Sequence, residues 1–166
     1  MKEVEFSTQV SKNDLYHFLM RHFYTSFSGI FGVILSLGAL IAFFLELGKR
    51  DTFQLLVLLV MASLFTVIQP LQMRMKAAQQ IKRNEVFKQP LHYLVDKKGI
   101  TVSQNGESNT IEWKEIRKVV ETKKAFFVYM TVMNANVIPK EQIGKNVEEF
   151  KLLMKENLEK SVCKLH

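Results

Sequence analysis

His17 and His22 lie five residues apart, off the spacing of three or four that lets two imidazoles share a metal on one helix face. His92 stands alone in an alternating segment, and His166 is terminal. Cys163 is the single cysteine, so an internal disulfide is impossible and nothing points to an oxidising compartment. Glu112 and Glu115 flank Trp113, a carboxylate pair beside an aromatic ring. Strand alternation turns Glu112 away from Trp113, which makes Glu112 a solvent residue and Trp113 a core residue. No glycine-rich phosphate loop, Cys/His metal cluster or hydrolase nucleophile elbow occurs in the sequence. The expectation is a chain that is not an enzyme, with no cofactor and no metal.

What remains is charge and apolar patterning. The 166 residues carry 23 Lys and Arg against 16 Asp and Glu, a formal net charge of +7. In a soluble chain that balance suggests an anionic partner. Here the basic residues flank apolar segments, and no nucleic-acid recognition motif accompanies them. A nucleic-acid partner is therefore not expected, and the lipid bilayer is.

Two runs without any charge, Ser26 to Leu45 and Thr52 to Met73, dominate the first half of the chain. Each meets the roughly 20 residues that a helix needs to cross about 30 Å of hydrocarbon. The first starts after about 25 residues that include Glu3, Glu5 and Asp14, and it is too long for a secretory signal. Between the runs, Glu46-Leu47-Gly48-Lys49-Arg50-Asp51 is short and polar, which predicts a tight transmembrane hairpin over 26–73, with spans of about 26–45 and 52–71. Lys12, Arg21, Arg74, Lys76, Lys82, Arg83 and Lys88 flank the outer ends, against Lys49 and Arg50 in the loop. The excess of basic residues predicts a multi-pass protein of the cell membrane with both termini cytoplasmic.

Ser28, Gly32 and Ser36 recur every four residues in the first run, a spacing of small residues that lets a neighbouring helix approach. The second run is the expected neighbour; self-association between copies is the alternative, so a homo-oligomer is compatible with the pattern. Neither span contains Asp, Glu, Lys or Arg, which weighs against a pathway for ions or protons. Arg74, Lys76, Lys82 and Arg83, in a basic juxtamembrane helix over 74–89, are candidates to face lipid headgroups. Lys97-Lys98 and Lys123-Lys124 read as turns.

Residues 1–25 read as a short strand, Glu3 to Ser7, followed by an amphipathic helix capped by Ser11 and Asp14. Residues 90–166 change rhythm. Leu91, Tyr93 and Val95 alternate, then Ile100 and Val102, then Ile111 and Trp113 around an Asn105-Gly106 hairpin turn. Ala125 to Met133 predicts the most buried strand, Asn134-Ala135-Asn136 a turn, and Val137-Ile138 a last strand before Pro139. A closing helix starts at Asn146, with Glu149 completing a capping box and Val147, Phe150, Met154 and Leu158 on its apolar face. About five strands and a helix make a small core, which predicts that the N-terminal strand adds to the sheet.

The tail carries Gly99-Ile100, Ile111-Glu112-Trp113-Lys114-Glu115-Ile116, Val120-Glu121, Phe126-Phe127-Val128-Tyr129 and Val137-Ile138-Pro139-Lys140. With the short N-terminal strand and the apolar hairpin before it, this order resembles the YcxB-like family of small bacterial membrane proteins across almost the whole chain. The resemblance implies a membrane α+β protein: a two-helix transmembrane hairpin plus an antiparallel β domain similar to pleckstrin-homology folds, closed by a C-terminal helix. It implies structural roles for Trp113, Ile138, Pro139 and Lys140, and supplies no catalytic residue.

The functional expectation is a non-enzymatic binding or scaffold module that presents this domain at the inner face of the membrane to a protein partner of unknown identity. A small membrane immunity or stress-protection protein is one alternative, and an accessory subunit of a transporter is another.

Overall fold

The computed structural model describes residues 3–132 and 134–165. Met133, the expected end of a strand, and the terminal His166 lie outside the described residues. The chain forms two compact units, one of residues up to Leu15 together with Ile81 onward, the other from Tyr16 to Gln80.

The first unit is built on two four-stranded sheets. One has the order β1 (Val4–Thr8), β2 (Leu91–Val95), β3 (Gly99–Gln104), β4 (Glu107–Glu112), all antiparallel. The N-terminal strand thus joins the sheet, as its alternation predicts. Val4 pairs with Val95 and Phe6 with Tyr93, so the apolar side of β1 falls on the apolar side of β2. Between β3 and β4, Asn105 and Gly106 both take positive φ, 53° and 84°, the conformation of a two-residue hairpin turn.

The second sheet has the order β7 (Ala135–Pro139), β6 (Ala125–Tyr129), β5 (Lys118–Glu121), β8 (Cys163–Lys164), with β8 parallel to β5. Two sheets replace the single sheet of about five strands that the sequence suggests. The break comes at Trp113–Glu115, a tight turn rather than a continuation of β4. The Glu115 carboxylate accepts from the Glu112 amide at 2.9 Å and ends the ladder there. Ala135 and Asn136 belong to β7, not to a turn.

Between the sheets and α6 (Val147–Asn157) lies one core. Phe150, Leu153 and Met154 recur at helical spacing and are fully or almost fully buried. Phe150 meets the Phe6 ring edge-on at 5.4 Å and the Phe126 ring at 5.2 Å, joining residues of both sheets. Asn146 precedes α6 but makes no side-chain cap; its amide donates instead to the Glu5 carbonyl at 3.4 Å. The helix ends at Asn157, so Leu158, expected on its apolar face, is the extended residue that closes it.

In the second unit, α2 (Phe27–Leu45) is capped by Ser26 and α3 (Thr52–Ser63) by Asp51, whose side chains accept from Gly29 and Gln54 amides. A wide π turn (Leu64–Ile68) joins α3 to α4 (Gln69–Arg83), making one helix of 32 residues. Both this helix and α2 are long and apolar enough to cross a membrane. Before α2 runs α1 (Lys12–Tyr24), started by the expected Ser11–Asp14 capping box. The basic helix expected to reach Gln89 stops at Arg83. Asn84 turns the chain there and its side chain accepts from the Val86 amide at 3.1 Å.

Candidate functional site

In the C-terminal body, β5 ends on Glu121, a carboxylate buried although its neighbours are apolar. α5 (Lys140–Ile143) and α6 bring two ammonium groups to it: Lys140 forms a short ion pair, and Lys151 lies at 3.4 Å. The Lys140 ammonium also sits 4.9 Å from the centre of the Phe126 ring. A buried carboxylate shared by two cations acts as a structural tie, because its charge is compensated on the spot and removing it would leave the cations unpaired. The Lys140 amide donates to the Lys124 carbonyl at 2.8 Å, so Pro139, which lacks a donor, passes the ladder to its neighbour. Sequence reasoning singled out Lys140 but missed Glu121 and Lys151. The available signal was a Glu closing the apolar Val119-Val120 pair.

Trp113 and Ile138 are core residues, as expected, and the Trp113 indole N–H donates to the Asp96 carbonyl at 3.1 Å. Glu112 is exposed and pairs with Lys114, raising the Lys114 pKa through that hydrogen bond. His92 meets the Ser7 hydroxyl at 2.7 Å on the surface. Burial pushes the Cys163 thiol up, away from thiolate reactivity. Tyr93 is buried, and its phenol is pushed up to about 12 by desolvation. The neighbouring Thr8 hydroxyl opposes that shift in part, while making no hydrogen bond of good geometry. Among the described residues, no group of three His, Cys, Asp or Glu could hold a metal ion.

A recess of about 860 Å³ opens at the hairpin end of the first sheet. Its floor is apolar, with Leu91, Val102, Ile111 and Met130, and its rim carries amides, Glu107 and Glu115. Apolar surface and directed polar groups converge there in a concavity of ligand size.

The helical unit has its own constellation, around Phe65. In the π turn the Gln69 amide donates five residues back, to Leu64. The next residue, Pro70, has no N–H, so the Phe65 carbonyl finds no donor within its helix. The Tyr24 hydroxyl supplies that donor. Ser36 of α2 donates to the Met61 carbonyl at 3.1 Å and receives the Phe65 amide at 3.4 Å. The Phe65 ring stacks on Phe23 at 6.2 Å and lies against Gly32, where a Cβ would come within 2.3 Å of it.

Gly32 and Ser36 therefore do face the second apolar helix. Ser28 does not: it is exposed, and Gly29, Gly32, Ser36 and Ala39 form the buried stripe. Arg74, Lys76, Lys82 and Arg83 are all exposed on α4.

The structure defines an α+β chain with a two-sheet C-terminal body and a separate pair of long apolar helices. Within it, residues 95–154 match the family model for YcxB-like protein, so the chain carries a YcxB-like segment from the end of β2 into α6. The strand β1, most of β2 and the apolar helices lie outside that match. No curated protein and no solved structure matches the chain.

Proposed function

We propose that this protein is a membrane-anchored, non-enzymatic binding module. In this reading α2 and the helix of residues 52–83 form a transmembrane hairpin, and the two-sheet body is a pleckstrin-homology-like domain held at the inner face of the cell membrane. The carrying observation is the apolar surface that both helices leave uncovered: Phe27 is 86% exposed, Phe53 74%, and Val67 62%. Apolar surface of that extent marks a surface made for another apolar phase, and its length matches hydrocarbon.

The backbone supports the same reading. Lipid offers no hydrogen bonds, and the carbonyl freed by Pro70 is met by Tyr24. The cytoplasmic placement of both termini rests on the excess of Lys and Arg at the outer ends. Arg74, Lys76, Lys82 and Arg83 then lie where anionic headgroups add about 1 kcal/mol for each cation near the surface. Two sheets closed by a C-terminal helix support the domain assignment, and the recess supports a binding role.

Alkaline carbonate extraction of membranes expressing the full chain tests the anchor. Retention in the pellet is expected. Release into the supernatant would overturn the transmembrane reading.

A further inference from the structure

We propose that the recess beside β4 binds a partner polypeptide in extended, cationic form, added as a fifth strand to the first sheet. The proposal rests on the binding-module reading and names its site and the chemistry of its partner.

Three independent features converge. First, β4 is a free edge: it pairs with β3 alone among the described residues. Its outward groups can be assigned. The Glu112 amide bonds the Glu115 carboxylate rather than β3. Since N–H and C=O alternate sides along a strand, Ser108 and Thr110 also direct theirs away from β3. The Thr101 and Thr110 hydroxyls meet at 2.9 Å, as expected of a pair that shares no ladder hydrogen bonds. An exposed edge of this kind is a template for another strand.

Second, the recess reaches that edge. Leu91, Val102, Glu107, Asn109 and Ile111 share the core-side face of the sheet, so the recess lies over that face and comes to the outer side of β4 at Ser108. Its apolar floor would receive every second side chain of an added strand.

Third, the charge has the opposite sign to the chain. The lining residues include Glu107 and Glu115 and no lysine or arginine, in a protein of net charge +7. Acidic rim groups select a segment bearing Lys or Arg. A second copy is the competing occupant, since pairing of the outward residues would set Thr110 opposite Thr110 and Ser108 opposite Glu112, and the test reads it separately.

The test uses the full chain in nanodiscs and a synthetic peptide alternating lysine and valine, of about six residues, the usual strand length. Two companions serve as controls: one with glutamate for lysine, one N-methylated at alternate amides so that it cannot form a ladder. The lysine peptide should bind and slow hydrogen exchange at the Ser108 and Thr110 amides. Both controls should fail to bind. Glu107→Lys, an exposed substitution, should weaken binding about fivefold. The proposal is overturned by no binding of the lysine peptide at millimolar concentration, by equal binding of either control, or by protection elsewhere in the chain. It also falls if exchange at Ser108 and Thr110 slows with protein concentration alone, since the edge would then belong to a second copy. Anchorage is read separately by extraction, so either idea can fail without the other.

Discussion

The hydroxyl of Tyr24 donates to the backbone carbonyl of Phe65, forty-one residues further along the chain. That carbonyl needs an outside donor because a π turn and a proline follow each other. Gln69 donates to Leu64, and Pro70 has nothing to donate. Loss of the hydroxyl leaves the carbonyl unmet, at a cost of about 1–3 kcal/mol. Tyr24→Phe should therefore lower the thermal stability of the purified protein in detergent. Pro70→Ala restores an amide and should shrink the effect of Tyr24→Phe. Strict additivity of the two substitutions would contradict the pairing.

Gly32 and Ser28 make a paired comparison. A methyl group at Gly32 meets the Phe65 ring, which cannot retreat freely because it stacks on Phe23. Gly32→Ala should cost about 1–3 kcal/mol, as overpacking does. Ser28 is exposed, and Ser28→Ala should be neutral within about 0.5 kcal/mol. Detergent melting curves that rank the two in the opposite order would refute the observed face.

The phase of that face shows where sequence reasoning stops. Small residues at 28, 32 and 36 satisfy a repeat of four, yet the buried set 29, 32, 36 and 39 follows steps of three and four, as a helix face does. Two charge-free runs were legible because span length needs no tertiary information. The Asn105-Gly106 turn was legible because its chemistry is local. The π turn was not. Pro70 announces a defect in the helix, but the partners that make it tolerable, Tyr24 and Ser36, come from distant positions. The strand at Lys118–Glu121 was hidden for a similar reason: Val119, Val120 and Glu121 are all buried, so no alternation marks it. The buried Glu121 became visible only once Lys140 and Lys151 stood beside it.

Those three residues carry the next expectation. Glu121→Gln leaves two ammonium groups, each largely buried, without their shared counter-charge. The cost should reach about 3 kcal/mol, the range for breaking a buried pair. Lys140→Met removes one of two cations and keeps an apolar stem over Phe126, so it should cost less. Denaturant titration followed by Trp113 fluorescence orders the variants, and a milder effect for Glu121→Gln would contradict the tie.

Tyr93 gives the first body a pH dependence of known sign. Its phenol ionises near 10 when unfolded and at about 12 in the folded protein. Between those values the unfolded chain loses the proton and the folded chain keeps it, so stability is intact below pH 10 and falls as pH rises toward 12. A shift of this size corresponds to roughly 3 kcal/mol. Tyr93→Phe keeps the ring stacked on Phe6 and should flatten the alkaline slope relative to the parent protein. Equal slopes would show that the phenol does not contribute.

The central claim is that two apolar helices span a membrane as a hairpin and leave the two-sheet body inside. Cysteine accessibility in intact cells tests it most directly. In a Cys163→Ser background, Lys49→Cys probes the loop between the helices, and Lys97→Cys probes the exposed turn between β2 and β3. Labelling from outside at position 49 with protection at position 97, lifted when the membrane is permeabilised, is the predicted result. Labelling of position 97 in intact cells, or protection of both positions, would contradict it.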